Sequence, residues 1–178
     1  MFRRPALVLP LLLGLAACAT PDNAPSLPAI AATQQEPVLA AVYGAQPVFR
    51  DTSRVAGKPY DAAIAAIRLE WLAAEMPHDL AFKNSKRLTI PATLAARDNL
   101  RMALGIPAST PSPVVLSRLS DAAAALRDGN TARARQVLSP PSFSADTLDR
   151  LTALPQLPQA NLALLLAQKD LDFGGDLL

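Results

Sequence analysis

The chain has few of the residues from which β-sheets, disulfides and metal sites are built. Its 178 residues include one cysteine and one histidine, which excludes an internal disulfide, a multi-cysteine zinc or iron–sulfur site and a His-rich metal site. Valine and isoleucine together number 13, against 65 alanines and leucines, and there are 17 prolines but only 7 glycines. Because β-branched residues favour strands, this composition predicts an all-α fold.

The first 17 residues have the order of charge and hydrophobicity that is typical of a secretory signal. Arg3 and Arg4 precede an apolar run from Ala6 to Leu15, and small residues follow. The run is about ten residues long, whereas a helix that spans a bilayer needs about twenty. The sequence therefore predicts a cleaved signal peptide over residues 1–17 and no permanent membrane helix at this end.

The end of this signal is the most specific motif in the chain. Leu15, Ala16, Ala17 and Cys18 resemble the lipobox of bacterial lipoprotein precursors, an aliphatic residue and two small residues before a cysteine. The resemblance implies cleavage between Ala17 and Cys18. It also implies that Cys18 becomes the first residue, carrying a covalent diacylglycerol and an N-acyl chain such as palmitate. The alternative is a secreted protein whose signal ends in Ala-Ala-Cys by chance.

The resemblance also implies a destination. In Gram-negative lipoproteins an aspartate after the lipidated cysteine favours the inner membrane, and this chain has Ala19 there. The expected location is therefore the outer membrane, with the protein facing the periplasm. Each buried methylene contributes about 0.8 kcal/mol, so two or three acyl chains hold a protein permanently. We expect no cofactor other than this covalent lipid.

The apparent basicity of the chain belongs to the signal. The whole sequence has 17 Lys and Arg against 15 Asp and Glu, and removal of Arg3 and Arg4 leaves 15 of each sign. This balance gives no argument for a nucleic-acid partner. One basic cluster remains, at Lys83, Lys86 and Arg87, and either a solvated loop or a contact with anionic lipid headgroups would explain it.

The segment after the cysteine is rich in proline and poor in charge. Pro21, Pro25, Pro28 and Pro37 disfavour helix and predict a tether over residues 18–46, although a short helix at Val38–Tyr43 is left open. A single helical domain is expected over residues 47–178.

Prolines and glycines in the domain lie where helices should begin and end. The pattern predicts a compact bundle, or stacked hairpins, of five or six short helices. Four apolar residues, Leu162, Leu164, Leu165 and Leu166, lie on most sides of the last helix, which predicts that this helix is central. The expected helices are Pro59–Met76, Pro91–Leu104 closed by Gly105, one from Ser112 that stops at Gly129, one capped by Asn130 or Thr131 through Leu138, Ala145–Leu154 capped by Ser144, and Pro158–Leu171.

One stretch is similar to the hairpin of a tetratricopeptide repeat. Between Leu119 and Leu138, small and apolar residues flank a Gly129-Asn130 turn, with Ala122, Ala125 and Leu126 before it and Ala134 after it. No second copy follows at a period near 34 residues, and a repeat array needs about three units. An ordinary helical hairpin is the preferred interpretation.

Residues that could carry chemistry are few. His78 is the one imidazole, and no Gly-x-Ser-x-Gly turn or phosphate-binding glycine loop is present. Glu70 and Glu75 are five residues apart on one predicted helix and point away from each other, so we interpret both as solvated carboxylates. No catalytic residue is assigned.

The C-terminal aspartates and the aromatic residues also have simple interpretations. Asp170, Asp172 and Asp176 surround two glycines, but the chain ends before the glutamate that would complete a calcium loop, so a solvated, frayed tail is expected. Trp71 and Tyr60 share a helix face, which is more typical of a core than of a ligand platform.

These observations favour a non-enzymatic scaffold or protein-interaction module, held at the membrane through Cys18 and binding another envelope protein. The alternative is a periplasmic carrier or enzyme with an apolar pocket that binds a lipid or a small molecule.

Overall fold

The described part of the chain is built from helices alone. The computed structural model describes residues 25–79, 82 and 88–173, and no strand occurs there, which confirms the all-α prediction. Of these helices, none combines the length and apolarity needed to cross a bilayer. A 3-10 turn, Thr52–Val55, follows the first of seven α-helices, which are α1 Pro37–Arg50, α2 Pro59–Glu75, α3 Thr89–Leu104, α4 Ser112–Arg127, α5 Thr131–Val137, α6 Thr147–Thr152 and α7 Pro158–Phe173.

Proline begins α2 and α7 and glycine ends α3, as predicted, whereas the helix start at Pro37 was not predicted. Pro37, Pro59 and Pro158 stand in the first turns of α1, α2 and α7, where a missing N–H costs no helical hydrogen bond. Gly105 ends α3 at φ 70°, and the Ile106 N–H donates to the Arg101 carbonyl at 2.8 Å.

Three helix starts differ from the sequence prediction. Helix α3 begins at Thr89 instead of Pro91. Ser112 is the first residue of α4 instead of its cap. Helix α6 begins at Thr147 instead of Ala145, and its cap is Asp146 instead of Ser144. The Thr147 hydroxyl lies 2.8 Å from the Leu104 carbonyl and 2.9 Å from the Ser144 carbonyl, so the start of α6 is also joined to the end of α3. Such a contact between separate helices leaves no local signal in the sequence.

Helix α2 is the central element. It packs against α1, α3, α4 and α6, and eleven of its residues from Ala62 to Ala73 are buried. Its many alanines allow neighbours to approach on several sides. The prediction that α7 is central is wrong, because α7 packs against α1 and α3 and leaves Leu162 and Leu165 exposed.

Helices α4 and α5 form the predicted hairpin. Gly129 turns the chain at φ 74°, and the Asn130 side chain accepts from the Arg133 N–H at 2.9 Å to cap α5. Ala122, Ala125 and Ala134 are buried between the two helices and their neighbours. Helix α5 has only 7 residues. The structure therefore shows an ordinary hairpin of unequal helices.

Much of the described part of the segment that composition assigned to a tether is packed on the domain, although residues 32–36 are exposed. Residues 37–46 belong to α1, and Val38, Ala41 and Ala45 are buried in the core. Residues 25–36, which we call the strap, lie along the helices, with Ala31 fully buried and Leu27 and Ile30 packed on the core. The prolines exclude a regular helix but do not prevent packing, which only the neighbouring surfaces decide.

Candidate functional site

The predicted lipobox and the residue expected to be lipidated lie outside the described residues. Leu15, Ala16, Ala17 and Cys18 all precede Pro25, where the described chain begins. Cys18 and Pro25 are separated by seven peptide steps in the sequence. The structure therefore shows the contacts of the chain that follows the predicted lipobox only from Pro25 onward.

The strap is attached to α2 by two side chains. The Trp71 indole N–H donates to the Pro25 carbonyl at 2.5 Å, and Trp71 itself is buried. The Arg68 Nε–H donates to the Ala31 carbonyl at 3.0 Å. Trp71 lies nearly one turn after Arg68 on α2, so both side chains leave the same helix toward the strap. Tyr60, which was expected to share the Trp71 face, is partly buried against the core.

Arg68 also joins the strap to α1. Its Nη1 donates to the Gly44 carbonyl at 3.1 Å, in the middle of α1. A Cβ atom on Gly44 would lie only 2.6 Å from the Arg68 Cζ, so only glycine leaves room for the guanidinium. Burial lowers the pKa of Arg68 from its ordinary value. Among the described residues Arg68 has no ion-pair partner, and backbone carbonyls solvate its charge.

A second arginine, Arg101, forms the most polar cluster in the core. Its guanidinium makes a bidentate ion pair with Glu70, in which Nε lies 2.9 Å from Oε2 and Nη2 donates to Oε1. Nη1 donates to the carbonyls of Ala108 at 3.2 Å and Thr110 at 2.8 Å, and Nη2 also donates to the Ser112 hydroxyl at 3.0 Å. We call these five residues the core clamp.

The core clamp is a closed structural unit. All five guanidinium N–H groups have acceptors, and both Glu70 oxygens accept from the arginine. Glu70 is 0% exposed, and Arg101 is 5% exposed. The interpretation of Glu70 as a solvated carboxylate is therefore wrong, because α3 and the chain before α4 cover this side of α2. The cluster joins α2, α3 and the start of α4 and presents no free group to a substrate.

Glu75 and His78 lie at the end of α2, apart from the core clamp. The His78 N–H donates to the Glu75 carbonyl at 2.8 Å in the turn that follows the helix, and the His78 side chain is exposed. Burial, with a smaller contribution from the carboxylate of Asp79, raises the pKa of Glu75 from its ordinary value. The structure does not bring Glu70 and Glu75 together.

The C-terminal aspartates belong to helix α7 as far as the structure describes them. Asp170 accepts from the Thr89 hydroxyl at 2.5 Å, and Asp172 accepts from the Tyr43 hydroxyl. The hydrogen bond to Asp172 raises the pKa of Tyr43. The expectation of a frayed tail is wrong for these two residues, because both lie in α7 and accept from α3 or α1, but Asp172 is exposed to solvent as expected. Asp176 lies outside the described residues, as do Lys83, Lys86 and Arg87.

Other polar groups offer little for chemistry. Within residues 25–79, 82 and 88–173, no three His, Cys, Asp or Glu side chains are grouped so that they could hold a metal ion. The Asn161 Oδ1 atom is buried in α7 without a hydrogen-bond partner. The described residues thus combine an attached strap with a closed core.

Sequence reasoning missed Arg68 and Arg101. A signal was available for both: Arg68 follows Ile64 and Ile67 and precedes Trp71 on the buried side of α2, and Arg101 adjoins Leu100. A charge inside an apolar pattern predicts a buried partner, but the pattern does not identify it. Glu70 and Arg101 are 31 residues apart, so only the fold pairs them.

Comparison with known proteins identifies no relative of this chain. A scan against protein-family models, a search of curated proteins and a search of solved structures each found no match for this chain.

Proposed function

We propose that this chain is the precursor of an envelope lipoprotein, anchored through Cys18 on the periplasmic face of the outer membrane, and that its helical domain is a non-enzymatic scaffold for another envelope protein. The observation that carries the proposal is the order Leu15-Ala16-Ala17-Cys18 directly after a short signal core. The lone cysteine supports it, because lipidation consumes a thiol that an oxidising compartment would otherwise leave reactive.

The described helices supply a second line of support. The core clamp is closed, and the strap is attached to the domain through Trp71 and Arg68. Helix α7 instead leaves Leu162 55% exposed and Leu165 44% exposed on its outer side. Exposed apolar side chains of this kind are more typical of a surface that binds a protein than of a catalytic centre.

Acyl labelling in cells tests the anchor. The full-length precursor is expressed in a Gram-negative host that receives an alkyne-labelled fatty acid, and membranes are separated by density. We expect label on the protein and recovery with the outer membrane, and Cys18→Ser should abolish both. A Cys18→Ser protein that keeps the label or stays in the membrane would contradict the proposal. An Ala19→Asp variant should move to the inner membrane.

Crosslinking in cells tests the scaffold role. A photo-crosslinking residue at position 162 should capture one specific envelope protein, whereas the same residue at position 133, an exposed part of the short α5, should not. Native mass spectrometry of the purified protein tests the carrier alternative. A lipid or small molecule that co-purifies in stoichiometric amount would favour the carrier over the scaffold.

A further inference from the structure

One end of the bundle gathers the ends of three helices. The Thr93 hydroxyl lies 3.3 Å from the sulfur of Met76, which places the first turns of α3 beside the end of α2. The hydrogen bond between Thr89 and Asp170 places the last turns of α7 beside the start of α3. Packed helices are about 10 Å apart, so these ends lie within roughly 20 Å of one another. We call this the anchor end.

The chain that leads to Cys18 leaves from the anchor end. Pro25 is bonded to Trp71, on the last turns of α2. Seven peptide steps separate Cys18 from Pro25. A chain extends at most about 3.6 Å per residue, so Pro25, where the chain reaches the anchor end, lies within about 25 Å of a lipidated Cys18. While the strap stays attached to α2, these seven peptide steps are the full length of chain between the domain and Cys18.

The same end carries two exposed apolar side chains. Leu88, just before α3, is 69% exposed, and Phe173, the last residue of α7, is 61% exposed. The nearby carboxylates of Asp170 and Asp172 accept hydroxyl hydrogen bonds from neighbouring helices. Met102, near the other end of α3, is 72% exposed and supplies a matched position away from the anchor end.

We propose that the anchor end lies against the bilayer that holds the acyl chains of Cys18, with Leu88 and Phe173 at the membrane interface. The proposal rests on the lipid anchor proposed above. Two apolar side chains alone would bind a membrane weakly. A tether of seven peptide steps makes this weak membrane binding an intramolecular contact, at millimolar effective concentration. A weak apolar interaction is then sufficient to orient the domain.

Quenching by brominated lipids tests the orientation. A chain that begins at Cys18 contains every described helix and all contacts among them, and its one thiol couples directly to a maleimide lipid. The coupled protein is placed on phosphatidylcholine vesicles whose acyl chains carry bromine. Three variants, Leu88→Trp, Phe173→Trp and Met102→Trp, each add one tryptophan, and the buried Trp71 gives the same background in all.

We expect the added emission of Leu88→Trp and Phe173→Trp to be quenched at least about twofold more than that of Met102→Trp, since interfacial side chains reach the acyl boundary. Equal quenching at the three positions, no quenching, or stronger quenching at position 102 would overturn the orientation. Because the coupling is chemical, this result does not depend on lipidation in cells. Absence of acyl labelling in cells would overturn the anchor, whereas absence of quenching would overturn only the orientation.

Discussion

The core clamp and the strap attachment both use an arginine that reaches across helices, but different groups stabilise the two positive charges. Arg101 meets a buried carboxylate and uses every N–H group within the core. Arg68 meets only backbone carbonyls, from the strap and from α1. The difference separates two kinds of stability. The core clamp holds three parts of the bundle in place, whereas Arg68 holds the segment that leads to the proposed lipid anchor.

Removal of the Arg101 charge should give the largest loss of stability. Arg101→Met leaves Glu70 buried without its cation, and an uncompensated buried charge costs about 3–5 kcal/mol. We expect the free energy of unfolding, measured with urea, to fall by that amount. The double variant Glu70→Leu/Arg101→Met should recover much of the loss, since an apolar pair replaces the ion pair. A double variant less stable than Arg101→Met would contradict the structural assignment of the core clamp.

Gly44→Ala should cause an intermediate loss of stability, and the strap should be the part of the chain that is loosened most. The new Cβ would lie 2.6 Å from the Arg68 Cζ and displace the guanidinium. The displaced guanidinium would lose its bonds to the Ala31 and Gly44 carbonyls, each contributing about 0.5–1.5 kcal/mol, and the better helix propensity of alanine offsets about 1 kcal/mol of this loss. Amide exchange should accelerate at Ala31 and Ala32, whose N–H groups bond within the strap, more than in α4.

Arg68→Met provides the control for this variant. Without the guanidinium, a methyl group at position 44 has space, so adding Gly44→Ala to Arg68→Met should be neutral or stabilising. A further loss of stability in the double variant would show that the glycine serves another contact.

Arg135→Met should lower the free energy of unfolding less than Arg101→Met does. Such a result would show that the core clamp depends on burial as well as on ion pairing. Arg135 forms a bidentate pair with Asp149, at 2.9 and 2.8 Å, but both side chains are exposed. Water and salt screen such pairs. We expect a stability loss well below that of Arg101→Met, and one that disappears in high salt. An effect equal to that of Arg101→Met would overturn the comparison.

Glu75→Gln should give the smallest effect, visible only as a change with pH. Burial and Asp79 raise the pKa of Glu75 above its ordinary value of 4.5, so the folded protein holds this proton more tightly than the unfolded chain. The stability of the native protein relative to Glu75→Gln should therefore fall as pH rises from 4.5 through the raised pKa. Unfolding curves at several pH values measure the difference, and a constant difference would contradict the raised pKa.

The helices were largely predictable because their boundaries are local. Proline at the first turn of α2 and glycine after α3 act through the backbone of adjacent residues, and both predictions are confirmed. The position of α7 was not predictable, because an apolar helix becomes central only if others pack around it. Leu162 and Leu165 are exposed for that reason. The prolines of the strap were also misleading, since packing against Trp71 does not require a regular helix.

The sequence by itself determined the all-α class, most helix ends and the candidate anchor at Cys18, because each depends on composition or on residues adjacent in the chain. Tertiary structure alone decided that Glu70 is paired with Arg101, that α2 is the central helix and that the strap is attached to it. These features join residues that are distant in sequence, and their energies depend on which groups are removed from water together.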